Sequence, residues 1–406
     1  MIANLPSDMI EVNQAVNIIA ANAAGFGTET IDLSASLNRI LKENWVVDRD
    51  LPPFDRVTMD GIAIRFSAFD KGLRTFTIEG VVAAGTPQCT LREEEGCLEV
   101  MTGAVMPLDA DTVIRYEDLD IREGKAHILV PDIVKSQNIH FQGSDRNAGE
   151  IIVAANTRIG APEIGIGSSI GKARVTVAAL PRVMIISTGD ELVGINEVPA
   201  PYQIRRSNEY RMLTTLQAQG IQADADHLPD DPAILREKLA SYLAHYDVLI
   251  LSGGVSQGKF DFLPETLEIL GVRKLFHQIR QRPGKPFWFG QYADRCTIFA
   301  LPGNPVSSFM CLQRYFVDWL NQCLGAPPIP RPMAVLTRDV PFKSDLTYFP
   351  EVRLSYSEQG QILATPVIGN GSGDFSNLAE AEAFIELPRG KNLYRAGEVY
   401  PVYLYR

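Results

Sequence analysis

Cysteine is scarce here and shows no pairing pattern. Cys89, Cys97, Cys296, Cys311 and Cys323 are odd in number and widely spaced, without a CxxC pair, which excludes a disulfide framework and a cysteine-built zinc site. The five histidines are scattered and each reads as a surface or core residue rather than a metal ligand. No apolar run approaches a membrane span, and the N-terminus lacks a basic region followed by an apolar one. A cytoplasmic protein with no membrane partner is expected.

Basic residues are outnumbered, 38 against 49 acidic, for a net charge of −11. That balance argues against nucleic acid as a partner, because binding it needs a basic face to displace counterions. It still permits a small anionic substrate, given local cations or a metal. No Ser/His/Asp or Cys/His spacing supports nucleophilic catalysis.

At 406 residues the chain predicts two to four domains, and 46% hydrophobic with 21% charged residues is ordinary for a globular protein. Its organising stretch is Asp247 to Asp261, DVLILSGGVSQGKFD. Val248 to Leu251 reads as a buried parallel strand. Gly253, Gly254, Ser256 and Gly258 then form a loop of small residues that exposes backbone N–H groups, and Asp261 marks the start of a helix. Strand, glycine loop and helix N-terminus together suit an anion; a plain βα turn is the alternative.

In order, residues 8 to 24 predict an amphipathic helix with Asp8 as its N-cap and Val12, Val16 and Ile19 on one face. In LPPFDRVTMDGIAIR, Leu51 to Arg65, Asp60 reads first as a turn residue. Short β-like pieces follow at 75–82, 97–101, 111–116 and 126–130, with Thr102 in a polar loop as either a ligand hydroxyl or a turn residue. Residues 137–150 read as a domain crossing, and the extended piece 151–153 can pair with the stretch after Gly27.

From Arg182 the pattern becomes α/β. Strands at 183–187, 223–228, 248–251 and 297–301 end respectively in Asp190-Glu191, Asp230-Asp231, the glycine loop, and Pro302-Gly303-Asn304-Pro305. A helix over 306–324 follows. In open parallel sheets ligands sit beyond the carboxyl ends of the strands, so these polar termini are expected to converge. Glu191, Asp230 and Asp261 would then hold a hard cation such as Mg²⁺ or share a proton. Lys259, Arg282 and Lys285 are candidate cations, with Arg205 and Arg206 as further ones or as plain solvated arginines. A proline-rich linker, 325–330, leads to a small β domain whose polar loop is Asn370 to Gly373. These residues describe a phosphate- or oxyanion-handling enzyme.

The motifs PPFDRVTMDG, MTGAVMP, STGDEL, SGGVSQGKFD, RPGKP and LPGNPVS, in this order across nearly the whole chain, resemble the molybdopterin molybdenumtransferases, the MoeA enzymes and the gephyrin E domain. The resemblance implies a multidomain α/β plus β fold: a doubly wound, mostly parallel α/β molybdopterin-binding domain (1–26 and 182–326), a discontinuous linking domain (27–48 and 146–181), a β-rich domain (49–145) and a C-terminal β domain (327–406). It further implies a homodimer with an intersubunit active site, other molybdenum cofactor biosynthesis proteins as partners, and molybdate and adenylylated molybdopterin as substrates, with Mg²⁺-dependent release of AMP. By the same likeness Asp60, Thr102, Glu191, Asp230 and Asp261 are catalytic and the last three hold the metal. Asp145, Gly253, Gly254, Ser256, Arg282, Lys285, Pro302, Gly303, Asn304, Pro305 and Ser372 bind substrate.

Acids are kept and bases are thinned relative to the family pattern. An arginine-rich segment is replaced by Asn138-Ile-His140-Phe141-Gln142-Gly-Ser-Asp145, a lysine by Gln278 and another by Arg282. An arginine expected near Phe349 corresponds to Glu351. Molybdopterin adenylyltransferase activity, or a dimeric scaffold without insertase activity, are the alternatives.

Overall fold

The computed structural model describes residues 9–255, 261–328, 330–367, 369 and 371–406. Its central sheet is built from β1 (Val183–Thr188), β2 (Asp224–Leu228), β3 (Val248–Ser252), β4 (Arg273–His277), β5 (Trp288–Tyr292) and β6 (Cys296–Leu301), in spatial order β2-β1-β3-β6-β5-β4. The first four in that order are parallel. Each of β1, β3 and β6 is buried along its whole length, with Ile185, Ile250 and Phe299 in one apolar core and Ile186, Leu251 and Ile298 in the other. Covering both faces is why these strands read as continuous apolar runs instead of alternating ones.

The antiparallel pair β4 and β5 was not legible as strands. Trp288 to Tyr292 overlaps the RPGKPFWFG stretch, and its alternation is masked because Trp288, Phe289 and Gly290 are all buried.

Helix α1 (Ser207–Ala218) ends before Gly220, which takes φ +81°. Helix α2 (Pro232–His245) has Pro232 at its first turn and is capped by Asp231, whose carboxylate accepts from the Ala233 and Ile234 N–H groups at 2.8 and 3.0 Å. Helix α3 spans Leu263–Ile269. The helix expected over 306–324 is α-helical over Pro305–Cys311, passes through a π turn at Leu312–Phe316 and resumes over Val317–Cys323.

The N-terminal helix is shorter than expected. It runs Val12–Ala21, and Glu11 is its cap, with the Glu11 N–H donating to Gln14 Oε1 at 3.0 Å. The expected cap, Asp8, lies outside the described residues. Val12, Ala15 and Ile19 pack into the Ile185 side of the sheet, so this segment joins the α/β body across some 160 intervening residues.

Thr28–Asp32 pairs with Arg174–Ala178, and Trp45–Val46 with Ile151–Val153, all antiparallel. Between these two chain pieces lies a six-stranded sheet ordered 112–115, 61–64, 96–100, 75–82, 125–128 and 119–122. The C-terminal strands 333–336, 362–366, 351–356, 383–385 and 399–404 close into a barrel. The barrel is fixed to the α/β unit by buried Arg314, whose guanidinium lies 3.2 Å from Glu386 and 3.4 Å from Asp318. Removing one partner of such a pair strands a buried charge, so the contact sets the barrel's orientation firmly. No helix among the described residues is long and apolar enough to cross a membrane.

Candidate active site

A cleft of about 480 Å³ opens at the carboxyl ends of β1, β2, β3 and β6. Of the expected site residues it is lined by Glu191, Asp230, Gly253, Gly254, Asp261, Pro302, Gly303, Asn304 and Pro305. Ser256, with Lys259, lies outside the described residues.

The glycines are there for a steric reason. Gly253 and Gly254 take φ +103° and +66°, and a Cβ on Gly253 would stand 2.8 Å from the Thr188 carbonyl oxygen. On Gly254 a Cβ would meet Thr188 Oγ1 at 3.0 Å. Thr188, at the end of β1, therefore packs directly on the turn after β3. The Gly253 N–H donates to the Leu301 carbonyl at 3.1 Å, locking that turn to β6.

The acids arrive from separate strand ends. Asp190 and Glu191 follow β1, Asp230 follows β2, and Asp261 precedes α3. Burial pushes the Asp230 carboxyl above its ordinary value, and the neighbouring charges of Asp190, Glu191 and Asp261 push it further the same way. Among the described residues, however, no group of three or more His, Cys, Asp or Glu side chains is placed to hold a metal ion. Glu191, Asp230 and Asp261 share the cleft and repel one another without converging on a ready-made ligand cage.

Asn208, on the first turn of α1, ties three elements together at the cleft. Its Nδ2 donates to Ser252 Oγ at 2.9 Å and to the Gly303 carbonyl at 2.7 Å, tying α1 to β3 and to the loop after β6. A polar amide on the first turn of a helix leaving the same sheet edge was the available signal. Asn304 Nδ2 donates to Ser372 Oγ at 2.9 Å, and the Val306 N–H to the Ser372 carbonyl at 3.2 Å. Ser372 thus brings the barrel's polar loop onto the rim of the cleft; Asn370 of that loop lies outside the described residues.

Arg282 and Lys285 do not line this cleft. Both sit on the turn between β4 and β5, whose backbone is tied to the barrel: the Arg282 carbonyl accepts from the Phe349 N–H at 2.8 Å. Arg282 instead lines a hollow of about 80 Å³ with Phe349, Glu351 and Ser372. Burial raises the Glu351 carboxyl there, with a smaller contribution from Asp374. Lys285 is exposed, while its neighbour Pro286 reaches the main cleft. Gln278 begins the same turn at φ +76°.

Asp60, Thr102 and Asp145 lie in the other half of the chain and do not line the cleft either. Asp60 accepts from the Thr102 N–H and hydroxyl, and these bonds, the backbone one first, hold its carboxyl below the usual range. Asp145 Oδ1 lies 2.8 Å from His140 Nε2, and His140 Nδ1 lies 3.1 Å from Arg56. Gln142 Nε2 donates to Asp50 at 2.9 Å, whereas Phe141 is exposed. The segment that departs from the family pattern is thus bonded into its own domain.

Residues 10–171 match the MoeA N-terminal region (domain I and II), residues 184–322 the probable molybdopterin binding domain, and residues 333–405 the MoeA C-terminal region (domain IV). The chain is 44% identical to the molybdopterin molybdenumtransferase of Synechocystis sp. over 97% of its own length and 100% of that protein. With the Bacillus subtilis molybdopterin molybdenumtransferase it is 32% identical, covering 98% and 94% of the two chains. The crystal structure of the molybdopterin biosynthesis moeA protein from Pyrococcus horikoshii OT3 superposes with a TM-score of 0.80 at 26% identity, covering 98% of this chain and 100% of that one. Three consecutive regional matches and full-length identity of this order leave one assignment: the chain belongs to the molybdopterin molybdenumtransferase family.

Proposed function

We propose that the chain inserts molybdenum into adenylylated molybdopterin, taking molybdate as second substrate and releasing AMP. The observation that carries this reading is the cleft itself, where a glycine turn, two helix starts and three carboxylates share the carboxyl edge of one sheet. Gly253 and Gly254 let the substrate's phosphate approach backbone, while Asn208 and Asn304 fix the loops on either side. The acids suit Mg²⁺: a carboxylate with raised pKa beside three others favours a cation, and Mg²⁺ keeps several waters and so does not need a closed cage. Glu191, Asp230 and Asp261 would hold it, and when bound it would neutralise phosphate charge as AMP leaves.

The proposal extends to a cytoplasmic homodimer in which Asp60, Thr102 and Asp145 from a second copy complete the cleft. Asp60 is ionised and fixed by Thr102, as a group presented to a partner's substrate needs to be. Other cofactor biosynthesis proteins would supply the adenylate and accept the product. Adenylyltransferase and scaffold readings are less well supported, because the relatives named as molybdenumtransferases align along the whole chain.

The test is complementation of a bacterial strain lacking its own molybdenumtransferase. The wild-type chain should restore molybdoenzyme activity and Asp261→Ala should not. Failure of the folded wild-type chain to restore it would favour the scaffold reading, and full restoration by Asp261→Ala would remove Asp261 from the chemistry.

A further inference from the structure

The described part of the cleft holds three acids but few bases: Arg205 and Arg206 are the only basic side chains lining it among the described residues. The two differ in environment. Arg205 is exposed and its Nε donates to the Glu197 carbonyl. Arg206 sits at the N-cap position of α1, with its N–H donating to the Val193 carbonyl at 3.1 Å, and its side chain is only 22% exposed. Its Nη1 is 3.2 Å from Oε2 of Glu209, a side chain 8% exposed.

Glu209 has little reason to be buried on its own account. Burial raises its carboxyl, and Arg206 and then His227 act against that rise. A buried carboxylate bonded to Nη1 restrains where the guanidinium can turn, and its remaining N–H groups stay available to another acceptor. Arg206 Nε is buried and has no partner among the described residues. Thr188 Oγ1, in a residue 5% exposed that lines the same cleft, also has none among the described residues. Two polar groups unpaired among the described residues therefore belong to the lining of one cleft into which the N-terminus of a twelve-residue helix opens, a set an oxyanion satisfies.

We infer that Arg206, held in place by Glu209, binds the phosphate group of the organic substrate, and that Thr188 Oγ1 donates to the same group. The inference rests on the molybdenumtransferase reading of this cleft and adds to it where the chain's charge now comes from. Basic residues are absent at Phe141, Gln142 and Gln278, and Arg206 supplies one inside the cleft. A volume of about 480 Å³ far exceeds a lone tetrahedral oxyanion, so a phosphate carried by a larger molecule is favoured over molybdate.

The test is calorimetric titration of the full-length protein with AMP, and separately with sodium molybdate, both in the presence of Mg²⁺. Arg206→Ala should weaken AMP binding by about tenfold or more, the range set by losing a charge-assisted bond to an anion. Arg206→Lys should weaken it less, because the charge stays while the fork is lost. Since Arg206→Ala leaves Glu209 buried and unpaired, the pair Arg206→Ala/Glu209→Gln is the decisive variant, with folding checked by circular dichroism; it should show the same loss. Molybdate affinity should be unchanged in all three.

A folded double variant that binds AMP within about twofold of wild type would overturn the inference and leave the family reading standing. So would a loss confined to molybdate. A wild-type protein that binds no AMP would overturn both.

Discussion

Asp60 Oδ1 accepts two hydrogen bonds from a single residue, one from the Thr102 N–H at 2.6 Å and one from the Thr102 hydroxyl at 2.7 Å. The two motifs carrying them lie 42 residues apart. Each was ambiguous alone, since an Asp-Gly pair and a Thr-Gly pair both read as turns. Their meeting turns two local signals into one anchored carboxylate.

Because both bonds favour the ionised form, the Asp60 carboxyl titrates below its ordinary value. Thr102→Val removes the hydroxyl but keeps the backbone donor, the larger of the two causes. The acid limb of the insertion rate should move to higher pH in Thr102→Val and stay in place in Thr102→Ser. Rate profiles that coincide for wild type and Thr102→Val would show that Asp60 does not set that limb.

The glycine turn gives a prediction with an internal control. Gly253→Ala forces a positive φ on a side chain and a Cβ to 2.8 Å from a carbonyl oxygen, so it should cost about 1–3 kcal/mol of stability and most of the activity. Gly303 takes no such φ, and its Cβ would meet Gly253 Cα at an ordinary 3.5 Å. Gly303→Ala should therefore stay within about 0.5 kcal/mol of wild type. Denaturant titration of both variants checks this, and equal costs would contradict the steric account.

The parallel half of the α/β sheet was legible because β1, β3 and β6 are short, doubly buried runs that end in turn residues. Their convergence followed from topology, since strands of like direction bring their carboxyl ends to one edge. The edge pair β4 and β5 escaped notice because the glycines, prolines and aromatics of RPGKPFWFG obscure any alternation. Glu191, Asp230, Gly253, Gly254 and Pro302 to Pro305, carried on strand ends, meet in one cleft. Arg282 and Lys285, on the turn after β4, lie outside that cleft: the Arg282 backbone pairs with Tyr348 and Phe349 and the Lys285 carbonyl bonds within its own turn, contacts that leave no local mark. Arg206 was seen as a candidate cation, but nothing in its neighbourhood of sequence tells that Glu209 is buried beneath it.

Glu351 offers a pH test. Its carboxyl is raised mainly by burial, so the folded state disfavours the ionised form, and the stability associated with the neutral form is lost as pH rises through the folded value. Glu351→Gln should melt at a higher temperature than wild type at about pH 8 and at the same temperature at about pH 4, where both states are protonated. A gain that is equal at both pH values would place its cause in packing instead.

The most direct measurement is a single turnover of adenylylated molybdopterin on the purified protein, with molybdate and Mg²⁺ supplied together, singly or not at all. AMP release that requires both ions, with molybdenum retained on the dithiolene product, is the result expected. AMP release independent of molybdate, or none from folded protein with both ions present, would contradict the assignment of this cleft to molybdenum insertion.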